Sequence, residues 1–304
     1  MDTSIQIPRR GVMQGILKSS QPYLLLLPAA LFVLAVTVYP VISLIYTAFH
    51  STTYFKVGAF SGFQNFAPLF TSGGAKSFIA SAVFVVASDI LTISVALCLA
   101  LVMEAQLRVR GLLRTLVMLP WLVSMVVTSL LWQAMLDPNF GPITRFVHAI
   151  SGWNISLLSD EAPAMAVMVL ANVWRSYPFA LVLILAALQA IPGELYEAAR
   201  LDGASRWTEL RRITLPMAGR TIVVVLILLT LEYFTLVTLP FIMTSGGPNQ
   251  ATYVLALRVW REAFTNYHLG YSAATGVVVF VLNLLLSCFY IYHFVLKETK
   301  DVSR

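Results

Sequence analysis

Charged residues are scarce in this chain. Only 11% of its 304 residues are Asp, Glu, Lys or Arg, whereas 59% are hydrophobic and the mean hydropathy is +0.81. A soluble domain typically carries about 25% charged residues. The composition therefore excludes an ordinary soluble domain and is normal for a protein whose main solvent is a bilayer.

Cysteine pairs and nucleotide-binding motifs are also missing. Cys98 and Cys288 both lie in apolar runs, so we expect neither a disulfide nor a metal site. The four histidines lack ligand-like spacing, and the acidic residues form no pair suited to catalysis. No Gly-Lys pair occurs, which excludes the GxxxxGK[ST] loop that cradles nucleotide phosphates. The sequence thus predicts a protein that is not an enzyme and binds no cofactor itself.

Long apolar runs dominate what is present. Six of them reach the roughly 20 residues that a helix needs to cross hydrocarbon. Strands of a membrane barrel would be about half as long and would alternate in polarity. The predicted fold class is therefore all-α, a polytopic membrane helix bundle of six transmembrane helices. The predicted spans cover about residues 23–49, 78–103, 116–136, 164–188, 221–243 and 271–296.

The distribution of lysine and arginine predicts the orientation. No low-complexity linker divides the chain, so we expect a polar N-terminal tail at 1–21 and a single transmembrane domain at 22–304. With both termini on one side, that side holds fourteen of the twenty basic residues and the other side holds five. Short cytoplasmic loops carry the excess of Lys and Arg. Both termini are therefore predicted to be cytoplasmic, and the net charge of +6 needs no nucleic-acid partner to explain it.

One charged segment interrupts the apolar runs. Seven of the twenty residues from Glu197 to Pro216 are charged, so this segment must lie in water. A helix is predicted from Pro192 to Leu201, closed by Gly203 in the left-handed conformation. Ser205 is expected to cap a second short helix, which Pro216 would end by removing a backbone donor. The prediction is a charged hairpin of two short helices.

At these residues the chain resembles the permease subunits of binding-protein-dependent ABC importers. Their cytoplasmic EAA loop reads EAA, then three residues to a Gly, then a hydrophobic-x-Leu-Pro ending. Asp202 and Ala204 fit the sugar-importer version, EAAxxDGA. A second segment, TSGGPNQAT at Thr244 to Thr252, is similar to the TxGGPxxxT of the same permeases. The residues that match the EAA pattern are Glu197, Ala198, Ala199, Gly203, Ile213, Leu215 and Pro216.

The resemblance, which covers nearly the whole chain, implies a function and a set of partners. The chain would be the membrane-spanning permease subunit of an ATP-driven importer in a bacterial inner membrane, forming half of the path for a carbohydrate. A glycerol-3-phosphate-type permease is the alternative within the same group. Implied partners are a second permease, an external binding protein at the outer loops, membrane lipid, and two ATPase subunits that bind ATP and Mg and dock on the coupling loop at 191–220. The coupling residues would be Glu197, Ala198, Ala199, Arg200, Asp202, Gly203, Ala204 and Ser205.

Polar residues inside the spans are the candidates for substrate contact. An unpaired polar group in hydrocarbon is costly, so it usually faces a cavity or a partner helix. Both alternatives stay open for several of them: Arg175 could pair with Glu232 or Asp89 to hold helices together, and Asn283 or Asp89 could satisfy a neighbouring helix. Thr238 stands where sugar permeases often carry an acidic residue. The expected substrate path comprises Asn172, Arg175, Tyr177, Glu232, Tyr233, Thr235 and Asn283.

The outer loops are expected to contact a partner outside the bilayer. Among them, 244–270 offers Arg258, Arg261 and Glu262 as charges that could orient an external binding protein. Alternatively, Gly246-Gly247-Pro248 only turns the chain. An ion-coupled secondary transporter is a less favoured function, because such a carrier has no reason to present the EAA-like segment.

Overall fold

The computed structural model describes residues 25–104, 110–152 and 157–296. The predicted tail at 1–21, the arginine at 108 and the basic residues within 297–304 lie outside the described residues. Besides a short 3₁₀ helix and a π-helical segment at Ile291–Leu296, eleven helices follow one another in the described part: α1 (Leu25–Ala48), α2 (Ser72–Glu104), α3 (Arg110–Leu122), α4 (Met125–Met135), α5 (Pro142–Ser151), α6 (Glu161–Gln189), α7 (Gly193–Leu201), α8 (Arg206–Phe234), α9 (Thr238–Met243), α10 (Leu255–Phe264) and α11 (Leu269–Tyr290).

The architecture is an all-α membrane helix bundle, as predicted. Helices α1, α2, α6, α8 and α11 are each long and apolar enough to cross a membrane, and the bent pair α3 and α4 supplies a sixth span if it is counted as one. The one β-hairpin in the described part, β1 (His50–Thr53) and β2 (Lys56–Phe60), is antiparallel and follows α1 directly. A short 3₁₀ helix, Gln64–Phe70, connects the hairpin to α2.

The third predicted span is not a single straight helix. The segments Thr115–Leu122 and Met125–Met135 meet at an angle of 99°. Pro120 lies inside α3, where it removes one helical hydrogen bond. Ser124 is extended, and its hydroxyl accepts a hydrogen bond from the Val127 amide at 3.3 Å, which starts a new helix. Helix α4 packs mainly on α9.

The second helix of the predicted hairpin does not end at Pro216, which corrects the expectation from the sequence. Helix α8 runs unbroken from Arg206 to Phe234 and includes a π-helical turn at Leu210–Thr214. In that turn the Leu215 amide donates to the Leu210 carbonyl, and Pro216 lies at the start of the next α-helical stretch. A proline is tolerated at such a position because its missing N–H is not needed there. At the other end α8 stops at Phe234, before the predicted end of the fifth span at 243.

Helix α6 lies at the centre of the bundle. In its most apolar stretch 61% of the residues are buried, compared with 33% in α2 and α8 and none in α1. Helix α6 packs along α2, and α8 packs against both. The core they form includes the fully buried Phe84, Met168, Ile184, Leu229 and Tyr233. Helix α1 contacts α11 near its end, where Leu44 lies beside Gly276, so most of its apolar surface is exposed.

The bundle has two dissimilar ends. Helix α7 and the first turns of α8 form one end, which we call the coupling end. The β-hairpin, α5, α9 and α10 belong to the loops at the opposite end, which we call the hairpin end. Contacts across the loops hold this second end together; for example, the Asn249 amide donates to Glu161 at 3.0 Å.

Candidate functional site

The coupling end contains the left-handed turn that the sequence predicts. Helix α7 closes with two backbone hydrogen bonds, from the Ala204 amide to the Ala199 carbonyl at 2.9 Å and from the Gly203 amide to the Arg200 carbonyl at 3.0 Å. Gly203 has a φ of +80°. This is the Schellman arrangement, which favours glycine at the left-handed position. The Ser205 hydroxyl then accepts from the Thr208 amide at 3.3 Å and caps α8.

Two side-chain contacts tie α7 to the start of α8. Arg200 Nε donates to Glu209 Oε1 at 2.8 Å, and the hydroxyls of Tyr196 and Thr214 share a hydrogen bond of 3.0 Å. The contact with Glu209 raises the pKa of the Arg200 guanidinium above its ordinary value, through the hydrogen bond and the opposite charge. A cavity of about 500 Å³ opens between the two helices. Its lining residues are Ala199, Asp202, Gly203, Ala204, Thr208, Glu209, Arg212 and Ile213.

Helix α7 exposes an apolar surface that sequence reasoning missed. None of its residues is buried, Leu201 is 90% exposed, and Trp207 at the start of α8 is 69% exposed. Large apolar side chains left in water beside a polar segment are typical of a contact surface. The signal available from the sequence was the position of a leucine and a tryptophan among the charged residues of the hairpin.

Arg175 and Glu232 form an ion pair, one of the two alternatives left open by the sequence. Arg175 Nη1 donates to Glu232 Oε1 at 3.4 Å and joins α6 to α8. The pair is not sealed in the core, because the two side chains are 20% and 43% exposed. Asp89, the other possible partner, instead accepts a hydrogen bond at Oδ2 from the Thr230 hydroxyl at 2.8 Å.

Glu232 lies on the wall of an open groove of about 820 Å³ between α8, α10 and α11. Thr235 and Asn283 line the same groove, and most of the other lining side chains are apolar. Asn283 is buried, and its Oδ1 has no hydrogen-bond partner in the described part of the chain. The structure therefore brings together three of the predicted path residues, and Arg175 joins them through its ion pair.

Asn172 and Tyr233 lie in a separate buried junction of α2, α6 and α8. The hydroxyl of Tyr233, a residue that is 1% exposed, shares a hydrogen bond of 3.0 Å with Thr92. Asn172 is fully buried, and neither of its amide atoms has a partner among the described residues; the same holds for Asp89 Oδ1. Ser176, one turn from Asn172 on α6, lies beside the Tyr233 hydroxyl. These predicted path residues thus face neighbouring helices and not the groove.

Tyr177 is also engaged with a neighbouring helix. Its hydroxyl donates to the Val117 carbonyl of α3 at 3.1 Å. Arg175 and Tyr177 are two positions apart on α6 and so point in different directions around the helix. The sequence showed that these side chains are polar residues in a span, but the rotation of α6 decides which of them reach the groove.

Arg258 is not available as a docking charge, which corrects the expectation for the loop 244–270. It is 7% exposed, and its guanidinium donates to the Ser77 hydroxyl at 2.9 Å, the Gly73 carbonyl at 2.7 Å and the Tyr271 hydroxyl at 3.2 Å. It also lies 4.7 Å from the centre of the Tyr253 ring. Arg258 therefore anchors α10 to α2 and α11.

The glycines after Thr244 form a closely packed turn. Gly246 has a φ of +83°, and a Cβ at this position would approach the Tyr253 ring to 2.3 Å. The Thr244 and Thr252 hydroxyls share a hydrogen bond of 2.6 Å across the turn, and Thr252 donates to the Gly247 carbonyl at 2.7 Å. Arg261 donates to the Ser245 carbonyl at 3.0 Å and remains partly exposed. Thus the turn has a structural role that accounts for Gly246.

The fold and these surfaces define a class of protein. It is a polytopic membrane helix bundle with an open groove along its spans and an exposed short helix at one end. In the described ranges no group of three or more His, Cys, Asp or Glu side chains could hold a metal ion.

Comparison with known proteins shows the family. Residues 92–293 match the model of the binding-protein-dependent transport system inner membrane component, and the chain belongs to this family. It is 30% identical over 276 residues to a trehalose/maltose transport system permease protein of Thermococcus litoralis, covering 89% of this chain and 91% of that protein. It is 31% identical to an sn-glycerol-3-phosphate transport system permease protein of Pectobacterium atrosepticum, with coverage of 86% and 89%.

A solved structure shares the fold. A chain from a bacterial alginate ABC transporter, in complex with a periplasmic protein that holds an alginate pentasaccharide, superposes with a TM-score of 0.79. The match covers 92% of this chain and 96% of that chain, at 23% sequence identity. The protein described here is therefore a permease subunit of an ABC importer and an inner-membrane component.

Proposed function

We propose that this permease forms half of the translocation path for a carbohydrate and is driven by ATPase subunits that dock on α7. The observation that carries the proposal is the exposed, glycine-closed α7 with Leu201 and Trp207 uncovered beside it. A transport bundle without a phosphate-binding loop needs an external source of motion, and a rigid helix outside the bilayer can receive it. The coupling residues Glu197 to Ser205 would then lie in a cleft of an ATPase subunit, which binds ATP and Mg.

Three further features support the assignment of partners. The open groove between α8, α10 and α11 is mostly apolar and carries Glu232, Thr235 and Asn283, as expected for a surface that meets a second permease around a polar passage. The loops of the hairpin end would receive an external binding protein. In this arrangement both termini would lie in the cytoplasm, in agreement with the distribution of basic residues.

The substrate is proposed from the chemistry of the relatives. The permeases described above are named for trehalose and maltose and for sn-glycerol-3-phosphate, which are all polyhydroxylated molecules. Carboxylate and amide groups such as Glu232 and Asn283 suit hydroxyl groups, whereas Arg175 would suit a phosphate. Because the Arg175 guanidinium is already paired with Glu232, we favour a neutral carbohydrate over glycerol-3-phosphate.

Two glycine substitutions at the coupling end test the proposal. Gly193 and Gly203 both have open space where a Cβ would be added, but only Gly203 has a positive φ. Gly203→Val should strain the turn by about 1–2 kcal/mol and misplace the docking helix, since a β-branched residue disfavours the left-handed conformation. Gly193→Val is the matched control, because it adds the same side chain to the same helix without that strain.

The readouts are substrate uptake, copurification of the ATPase subunit and membrane insertion. We expect Gly203→Val to insert normally but to lose uptake and ATPase association, while Gly193→Val retains both. Normal transport by Gly203→Val with an intact complex would show that α7 is not the coupling element. A ligand screen on the cognate binding protein, with trehalose, maltose and glycerol-3-phosphate, tests the substrate class separately.

A further inference from the structure

Two adjoining cavities with several polar side chains on their linings occupy the hairpin end, away from the apolar groove. One, of about 440 Å³, lies between the Thr244–Thr252 turn and α10, and the other, of about 530 Å³, lies between the β-hairpin segment and α11. Glu262 and Asn266 line both, so the two cavities share a wall. Each has the size of an ordinary small-molecule site.

The shared wall holds a fixed acceptor. Glu262 is 8% exposed, and its Oε2 accepts hydrogen bonds from Asn266 Nδ2 at 3.0 Å and His268 Nδ1 at 3.1 Å. Its Oε1 has no hydrogen-bond partner among the described residues. Elsewhere on the lining, the side-chain amides of Gln64 and Gln250 make no hydrogen bond within that part of the chain. The cavities therefore present one buried, fixed carboxylate and several exposed amide side chains.

The positive charge on the walls is largely satisfied. The guanidinium groups of Arg258 and Arg261 lie 4.7 and 5.3 Å from the centre of the Tyr253 ring. Burial of Tyr253 raises the pKa of its hydroxyl, so this group stays a neutral hydrogen-bond donor. Arg258 donates to three protein oxygens, and the Glu262 carboxylate would repel an anion. This balance suits a neutral ligand with many hydroxyl groups.

An exposed aromatic cluster lies beside the second cavity. Tyr267 contacts Tyr54 and Phe55 of the β-hairpin, with ring centres 6.0 and 5.6 Å apart. Tyr54 pairs with His268, which lines that cavity. The two hairpin rings are 68% and 60% exposed. Sugar rings combine hydroxyl edges with apolar C–H faces, so polar cavities next to exposed aromatic rings match both surfaces.

We infer that the two cavities form an outer subsite that holds a neutral disaccharide or a longer oligosaccharide, one sugar unit in each, with Glu262 between them. The inference rests on the proposed function in taking the hairpin end as the outer surface. It deepens that function by placing a sugar-binding site on the permease itself, outside the groove. It also assigns the substrate class, since glycerol-3-phosphate has no sugar ring to fill either cavity and is an anion.

Cysteine protection in the assembled permease–ATPase complex tests the subsite without the binding protein. In a background with Cys98→Ala and Cys288→Ala, Gln64→Cys places a reporter on the lining, and Asn139→Cys is a matched control on an exposed loop of the same end. The rate of alkylation by a neutral maleimide is measured with trehalose, maltose or glycerol-3-phosphate. We expect a neutral sugar, at about ten times its own dissociation constant, to slow the alkylation of Gln64→Cys about tenfold by mass action.

Two further variants change the lining itself and so test the subsite independently of the reporter cysteine. Glu262→Gln keeps the shape of the shared wall but removes its charge, and should raise the sugar concentration needed for protection about tenfold, because charge-assisted hydrogen bonds are the stronger ones. Gln250→Ala should weaken protection as well, because it removes an amide that lines the first cavity.

Each outcome decides the inference. The subsite is supported if a neutral sugar protects Gln64→Cys but not Asn139→Cys, and if Glu262→Gln and Gln250→Ala both weaken that protection. Absence of protection, equal slowing at Asn139→Cys, or protection by glycerol-3-phosphate alone overturns it. Sugar uptake by the same complex with its binding protein tests the proposed function independently. Uptake without protection of Gln64→Cys would retain the transport function and overturn the subsite. Protection without uptake would retain the subsite and overturn the transport function.

Discussion

Two polar regions inside the bundle contain residues of similar type but lie in opposite environments. Asn172, Tyr233 and Asp89 are sealed in the junction of α2, α6 and α8, whereas Arg175 and Glu232 lie beside an open groove. Burial makes the first group expensive to disturb, because losing the Tyr233–Thr92 or the Asp89–Thr230 hydrogen bond would add another unpaired polar atom to the interior. Because the second group is partly exposed, its ion pair should contribute little to the free energy of unfolding, and its side chains can contact a solute. The difference separates a junction that packs helices together from a groove that is open to its surroundings.

The largest effect should come from Tyr233, which fills the junction. Tyr233→Ala removes a fully buried aromatic ring and should cost about 3–5 kcal/mol in the free energy of unfolding. Tyr233→Phe keeps the ring but loses the contact with Thr92, for a smaller cost of about 1–3 kcal/mol. Thermal unfolding of the purified complex measures both. If Tyr233→Phe were stable but inactive, Tyr233 would belong to the substrate path after all.

A smaller effect is expected at Asp89. Asp89→Ala leaves the Thr230 hydroxyl without its partner, whereas Asp89→Asn retains an oxygen acceptor at the same place. We therefore expect the alanine variant to be less stable than the asparagine variant by about 1–3 kcal/mol, the cost of an unsatisfied buried group. Uptake by Asp89→Asn should match the wild-type rate, and loss of uptake in a stable Asp89→Asn complex would contradict a purely structural junction.

The smallest effect on stability is expected from the Arg175–Glu232 pair. Both side chains are partly exposed, so a double-mutant cycle with Arg175→Met and Glu232→Leu should give a coupling energy of only about 0.2–1 kcal/mol. A coupling of several kcal/mol would instead mean that the pair holds α6 and α8 together.

Uptake measurements should distinguish the groove from the buried junction more clearly than measurements of stability. Glu232→Gln should keep assembly and basal ATP hydrolysis but weaken uptake or change substrate choice, because the groove loses its carboxylate. Wild-type uptake kinetics in that variant would remove Glu232 from the substrate path. The junction and the groove would then differ only in the exposure of their side chains.

Local signals in the sequence predicted the coupling end well. The closure of α7 at Gly203 and the cap at Ser205 depend on residues a few positions apart, and the structure contains both. The membrane-bundle fold was equally predictable, since the length and polarity of the apolar runs settle it. The continuation of α8 through Pro216 was missed, because a π-helical turn can place a proline where its missing amide is not needed.

The sequence by itself determined the class of protein, the approximate position of the apolar spans and the chemistry of the coupling turn, because these depend on composition and on neighbours in the chain. Only the tertiary structure decided which polar residues in the spans reach the groove, that Arg258 is buried while Arg261 is not, and that Glu262 stands between two cavities. The physical reason is that burial depends on how helices far apart in sequence rotate and pack against one another. Adjacent positions such as Glu232 and Tyr233 point in different directions around a helix, one towards the open groove and the other into the sealed junction.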